Sequence, residues 1–307
     1  MNAVILPTGA PETCFPLTCT RLLSECMVAN QSLAQAQEGQ LRAAGFGIGG
    51  EKSSGLAFFV LGSAWISAAT LQRIFAAGFA LVLESAGGAV LGWMGAADRE
   101  PMGAPRVKAD PDCFDVRYPW DLLRVQEKLL SGIFESKIEG ELSAGAELID
   151  GALLHLGAGS RILPGVVIEG TAVIGRNCKI GPNCFIRGFT AIGDACHVGN
   201  AVEIKNSILM NRTSVGHLSY CGDSILGAGV NFGAGTITAN FRHDGKTHRS
   251  MVNGELLDTG RRKFGAVVGD GVHTGIHTSI YPGRKLWPGV STRPGSVVQR
   301  DLRSENP

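Results

Sequence analysis

The chain has 307 residues, a net charge of +1 and only 18% charged residues, so it has room for about two domains around a sizeable core. That balance offers neither a basic footprint for nucleic acid nor an acidic tail. Glycine supplies 43 positions while aromatic residues make up 7%, which suggests tight turns at regular intervals rather than disorder.

In chain order, Met1–Pro7 lacks the basic and long apolar regions of a secretion signal. Ser53 to Gln72 carries no charge, but Gly55, Gly62, Ser63 and Ser67 interrupt it, so a buried strand, turn and helix is expected rather than a membrane span. Leu56–Leu61, Ala68–Ala77, Phe79–Glu84 and Ala89–Met94 read as strand, helix, strand, strand, with a hairpin turn at Gly87-Gly88. The eight cysteines form no CxxC pair and have no histidine-rich cluster beside them. A reduced cytoplasmic protein without a metal site is therefore expected. Tyr118–Leu130 reads as a helix, because Pro119 suits its first turn and Trp120, Leu123 and Glu127 follow one face. It divides a small N-terminal α/β domain, 1–117, from a second domain, 136–307, with 118–135 as linker.

From residue 156 every sixth position is apolar: Leu156, Ile162, Ile168, Ile174, Ile180, Ile186, Ile192, Val198, Ile204, Met210. Small or β-branched residues, Cys178, Cys184 and Cys196 among them, stand two positions earlier. A period of six fits neither a helix nor a simple alternation. It fits a mainly β fold, a left-handed parallel β-helix of hexapeptide repeats, whose three flat faces stack one aliphatic each inside a triangular prism. The three cysteines then occupy a packing slot. The phase is lost after Met210 and recovers at Leu226, Phe232 and Thr238, then again at Val268, Thr274, Ile280, Leu286, Thr292 and Val298. Residues 211–224 and 239–264 are accordingly expected to be loops that leave the coil, where binding residues concentrate.

In or beside those two stretches lie His217-Leu-Ser-Tyr220-Cys-Gly-Asp223 and Asn231-Phe-Gly-Ala-Gly-Thr-Ile-Thr-Ala-Asn240. With Arg187, Gly199-Asn-Ala-Val-Glu203-Ile-Lys205, Lys246 and Gly260-Arg-Arg-Lys263, they resemble the acetyltransferase half of the bifunctional sugar-1-phosphate nucleotidylyltransferase/acetyltransferases, the archaeal type most of all. The similarity spans about residues 118–302. Met1-Asn-Ala-Val-Ile-Leu-Pro-Thr-Gly9, Pro16-Leu-Thr18 and Val28-Ala-Asn30 are similar to the opening of that family's nucleotidyltransferase domain. The phosphate loop of that domain is altered here: Pro11 lacks an amide donor, Glu12 repels phosphate, and Thr13 and Leu23 stand where the family has Arg and Lys. The region is also about half the family's length, so a remnant without nucleotidyl transfer is expected.

The resemblance implies an acetyl-CoA-dependent N-acetyltransferase acting on a hexosamine-1-phosphate, in the route to UDP-N-acetylhexosamine. Such transfer needs a base for the ammonium, a cradle for phosphate and a donor for the oxyanion. His217 is the expected base, since imidazole titrates near neutrality. Glu203 is the expected carboxylate to orient His217 or hold a sugar hydroxyl. A loop-capping histidine and a solvated glutamate remain the plain alternatives. Arg187 and Lys205 are one coil apart, so they are expected to stack around an anion that Lys246 closes over. The resemblance gives Tyr220 and Asn240 to the sugar, and Asn231, Gly233, Ala234, Gly235, Gly275 and Ile276 to acetyl-CoA. It also implies a homotrimer. Phe241 stands where the family has an aromatic hydroxyl, and no basic tail follows the last coil. Arg261, Arg262 and Lys263 are expected either to meet the CoA 3′-phosphate or to form a solvated loop. A non-catalytic trimeric scaffold or sugar-nucleotide-binding protein, and an acyltransferase for another amino sugar, remain alternatives.

Overall fold

A computed structural model describes residues 1–49 and 55–303; Ser53 and Ser54, at the start of the uncharged stretch, lie outside them. The chain forms two compact units. The first comprises Met1–Pro11, Arg21–Cys26 and Gln31–Arg117, and the second Glu12–Thr20, Met27–Asn30 and Tyr118–Pro307.

The first unit is built on strands β1 (Asn2–Leu6), β2 (Gly47–Ile48), β3 (Ala57–Leu61), β4 (Leu81–Glu84), β5 (Val90–Gly95) and β6 (Arg106–Lys108). They form one mixed sheet in the order β2-β1-β3-β5-β4-β6, with β4 and β5 joined as an antiparallel hairpin. Helices α1 (Leu33–Ala43) and α2 (Ala68–Ala77) start at Ser32 and Ser67, whose hydroxyls accept from the Gln35 and Thr70 amides. Gly78, at φ +68°, ends α2 in the left-handed conformation. No helix among the described residues is long and apolar enough to cross a membrane.

The second unit is the left-handed parallel β-helix, of about nine turns, that the six-residue repeat describes. Its interior holds three stacks: Leu156, Ile174, Ile192, Leu209, Leu226, Val268 and Leu286 on one face; Ile162, Ile180, Val198, Val215, Phe232 and Thr274 on the next; Ile168, Ile186, Ile204, Cys221, Thr238 and Ile280 on the third. Most of these side chains are wholly buried in one continuous core. The small slot before each corner also hydrogen-bonds. Ser160, Cys178, Cys196 and Thr213 donate to the carbonyls of Gly175, Gly193, Met210 and Gly227 in the coil above, at 2.6, 2.9, 3.2 and 2.7 Å. All eight cysteines are free thiols.

One expectation is overturned. Residues 211–224 are not an excursion but regular coil: Ser214 pairs with His197 below and Asn231 above, and Tyr220 with Glu203 below. The phase is lost because two corners are one residue short. Ile174 meets Ile192 eighteen residues on, whereas Ile192 meets Leu209 and Leu209 meets Leu226 after seventeen. The inward position therefore falls on Leu209, not Met210. The second stretch does leave the coil. Ile225 lies beneath Val267, and between them an antiparallel ribbon, Arg249–Val252 with Glu255–Asp258, projects from the prism.

Helix α3 (Pro119–Leu130) covers one face of the prism from outside. Gln126 in α3 donates to the Phe189 and Ser207 carbonyls at 2.8 and 3.0 Å. Outward positions in the column on that face are buried: Ala191, Ile208, Ile225, Val267 and, next, Lys285, which is 2% exposed and has Cys14, Asp301 and Arg303 for charged or titratable neighbours. Burial pushes the Lys285 ammonium down to about 8, against the opposing pull of Asp301 and Cys14. Below pH 8 both folded and unfolded chains hold this proton, and its desolvation is a full cost. Between pH 8 and the ordinary lysine value the unfolded chain retains a proton that the folded chain has released, so this group favours folding increasingly as pH rises. The shift corresponds to a few kcal/mol, on the order of 3. The stability of the natural protein relative to Lys285→Met is therefore expected to improve from pH 7 to pH 10 in paired denaturant titrations; a constant difference would contradict it.

Candidate active site

The third face of the prism and the corner leading into it carry most of the residues singled out above. The outward positions of this face form two columns. Phe185, Glu203, Tyr220 and Ile237 make one, and Arg187, Lys205 and Gly222 the other. Arg187 and Lys205 do stack in register, as their spacing requires. They do not confront each other as bare cations, however. Arg187 donates through Nε and Nη2 to Glu203 Oε1 at 2.7 and 2.6 Å, and Lys205 Nζ to Asp223 Oδ2 at 2.9 Å. Coulomb repulsion between the stacked cations is thus relieved inside the chain, without an added anion.

The geometry also changes the reading of Glu203. Its carboxylate serves Arg187 rather than His217. The His217 imidazole is exposed at the corner three residues before Tyr220, and its Nδ1 accepts from the Asn200 amide at 3.3 Å. That bond places the neutral ring's proton on Nε2, so a base acting at Nε2 requires Nδ1 to leave Asn200 and take the proton.

Tyr220 and Asn240 are brought together. Asn240 Nδ2 donates to Tyr220 Oη at 2.9 Å and to Asp223 Oδ2 at 2.6 Å. Burial, then the Asp223 and Glu203 carboxylates, push the phenol up to about 12, so it stays protonated and its O–H remains a donor for a ligand oxygen. Gly222 makes this arrangement possible: a Cβ there would lie 2.3 Å from Tyr220 Oη and 2.6 Å from Asn240 Nδ2.

Lys246 lies exposed on the excursion, its amide donating to Asp244 Oδ1 at 3.2 Å, and it makes no bond to the cluster. Asn231 is exposed on the second face. Gly233, Ala234 and Gly235 form the corner above His217, and Gly275 and Ile276 the corner above that. Coil stacking by itself demands glycine at 233, where a Cβ would approach the Thr274 carbonyl oxygen at 2.6 Å.

Residue-by-residue reasoning missed the buried polar network behind these groups. Asp223 is 2% exposed, and its Oδ1 accepts from Asn206 Nδ2 at 3.0 Å. The same Asn206 nitrogen donates to Glu127 Oε1 of α3, also at 3.0 Å, and Glu127 accepts from Arg261 Nη2 at 2.5 Å. Arg261 is thus tied to a helix rather than offered to a ligand. Arg262 Nε donates to the Gly245 carbonyl at 3.2 Å, and Lys263 bridges Phe241 through its backbone. No group of three or more metal-ligating side chains occurs among the described residues.

Prism, stacked corners and a polar face define a hexapeptide-repeat protein with its candidate site on the outside of the coil. Residues 162–284 match the model of the GMPPB C-terminal domain family. A bifunctional sugar-1-phosphate nucleotidylyltransferase/acetyltransferase of Sulfurisphaera tokodaii is 46% identical over 102 residues, which is 33% of this chain and 25% of that protein. A bifunctional protein GlmU of Methanococcus maripaludis is 38% identical over 192 residues, 62% of this chain and 46% of that protein. Over its C-terminal half the chain is similar to the bifunctional sugar-1-phosphate nucleotidylyltransferase/acetyltransferases. It spans less than half the length of either relative.

The close approach at Gly222 yields a prediction that does not depend on activity. In Gly222→Ala the crowded atoms are side-chain ends, so the coil should fold with a thermal midpoint close to that of the natural protein. Tyr220 Oη and Asn240 Nδ2 should separate beyond hydrogen-bond reach in its crystal structure, and an intact 2.9 Å bond would contradict the crowding.

Proposed function

We propose that the protein is an acetyl-CoA-dependent N-acetyltransferase for a hexosamine-1-phosphate. The observation that carries the reading is the meeting of Arg187, Glu203, Lys205, Tyr220 and Asn240 on one face, beside an exposed histidine at the adjoining corner. Lys205 uses one ammonium bond on Asp223, which leaves two directions for a phosphate oxygen. The Arg187–Glu203 pair, each side chain 32% exposed, opens more readily than the buried Lys205–Asp223 pair, so the guanidinium turns to phosphate when the ligand enters. Glu203 then accepts from a sugar hydroxyl or from the ammonium.

His217 takes the proton from the acceptor's ammonium, and the free amine attacks the thioester carbonyl. The nitrogen–carbon bond forms, the carbon–sulfur bond breaks, and CoA leaves as the thiol. Ala234 and Ile276 continue the His217 column upward as a narrow, weakly polar strip suited to a pantetheine arm. Leu218, Ile237, Ile276 and Val297, between 39% and 62% exposed, lie on or beside that corner and form an apolar strip of the kind a second copy covers, in keeping with a homotrimer. The altered phosphate-loop positions Pro11, Glu12, Thr13 and Leu23 support the loss of nucleotidyl transfer, and the reading places the reaction in the cytoplasm.

Thiol release from acetyl-CoA with glucosamine-1-phosphate or galactosamine-1-phosphate tests the proposal. His217→Ala is expected to lower kcat by about 10²–10⁴-fold. Turnover unchanged in that variant would remove the mechanism, and no release with any amino-sugar phosphate would remove the function.

A further inference from the structure

The corner beyond Lys205 is built differently in the coils that carry the site. In the two coils below, Gly170 and Gly188 turn it at φ +83° and +67°. In the next two, Asn206 and Asp223 hold the same left-handed position, at φ +46° and +49°, and each corner is one residue shorter. Short polar side chains tolerate that conformation better than most, but glycine accepts it freely. In the six-residue corners glycine alone meets the need for the turn, as Gly170 and Gly188 show. A carboxylate this deeply buried, by contrast, persists only where donors surround it.

The donors surrounding Asp223 belong to the site. Oδ2 accepts from Lys205 Nζ at 2.9 Å and from Asn240 Nδ2 at 2.6 Å, and Asn240 in turn donates to Tyr220 Oη. Oδ1 accepts from Asn206, whose Nδ2 also reaches Glu127 of α3. Glu127 holds Arg261, at the far end of the excursion that begins with Asn240. Both ends of that excursion are therefore fastened to one hydrogen-bonded chain.

We infer that Asp223 is the positioning residue of this site: it fixes the Lys205 ammonium and the Asn240 amide at the places from which they meet the acceptor, and the Asn206–Glu127–Arg261 chain anchors it to α3. The inference rests on the acetyl-transfer reading above. Asp223 touches neither reacting atoms nor cofactor, so its loss should weaken acceptor recognition and spare the donor.

Asp223→Gly is the discriminating variant, since it installs the residue that the two lower coils use. It should keep the parallel coil by circular dichroism, raise KM for the amino-sugar phosphate about tenfold or more, and leave KM for acetyl-CoA within about twofold. Its effect should vanish in a Lys205→Ala/Asn240→Ala background, as expected of groups that act as one unit. Unchanged acceptor KM, equal losses for both substrates, or full additivity with Lys205→Ala/Asn240→Ala would overturn the assignment. A second readout needs no turnover. Reductive methylation mapped by mass spectrometry should be slow at Lys205 in the natural protein and markedly faster in Asp223→Gly, and equal rates would overturn the clamp. If the natural protein releases no thiol while this labelling difference appears, the acetyl-transfer reading fails and the clamp stands. If Asp223→Gly does not fold, Asp223→Asn carries the same tests, and the outcomes have the same meaning.

Discussion

A parallel coil has no slack. Each strand must lie in register over the one below, about 4.8 Å away, so that its amides meet the neighbouring carbonyls. A residue gained or lost within a turn has to be absorbed at a corner. Ile192 over Ile174 and Leu209 over Ile192 are equally well stacked, although one step is a residue shorter. At the shorter corners stand Asn206 and Asp223, and the Asp223 carboxylate accepts from both the Asn206 amide and the Lys205 ammonium. Register keeps the interior aliphatics continuous, and the corners hold what differs between coils.

This constraint explains what the amino-acid order discloses and what it conceals. The run from Leu156 to Ile204 names the interior stack almost residue for residue, because each position sees the same environment once per face. Strands β3, β4 and β5, their hairpin and α2 were likewise legible, since Ser67 and Gly78 punctuate the helix as free-standing signals; β1, β2, β6 and α1 were not read. The stretch 211–224 was misread for a physical reason. A five-residue step and a departure from the coil both erase a six-residue phase, and only backbone pairing separates them. The two five-residue steps run from Ile204 to Leu209 and from Cys221 to Leu226, with two ordinary six-residue steps between them.

The polar face was legible at the level of residue position and less so at the level of partner. Arg187 and Lys205 fall in register as eighteen-residue spacing dictates. Their carboxylates are not evident from spacing: Glu203 reads as a partner for His217 or for a sugar hydroxyl, and Asp223 is one residue of a longer motif. Lateral neighbours on a β face depend on side-chain reach and on corner geometry, which a one-dimensional period does not encode. The result is two cation–carboxylate pairs of unequal exposure on one surface. The exposed pair is free to exchange partners with a ligand, while the buried pair is held by its surroundings.

The excursion has a consequence for how such proteins diversify. Thr238 and Ile280 pair across it as if nothing intervened, so the prism is indifferent to the length of what is spliced between them. What is not indifferent is the set of moorings: Asn240 at the outgoing end, the Ser250 hydroxyl on the Gly283 carbonyl, and Arg261 at the returning end. A replacement segment would have to keep those side chains to sit in the same place beside the site. A change of length in the outer ribbon would in that sense leave the register of the coil beneath it untouched.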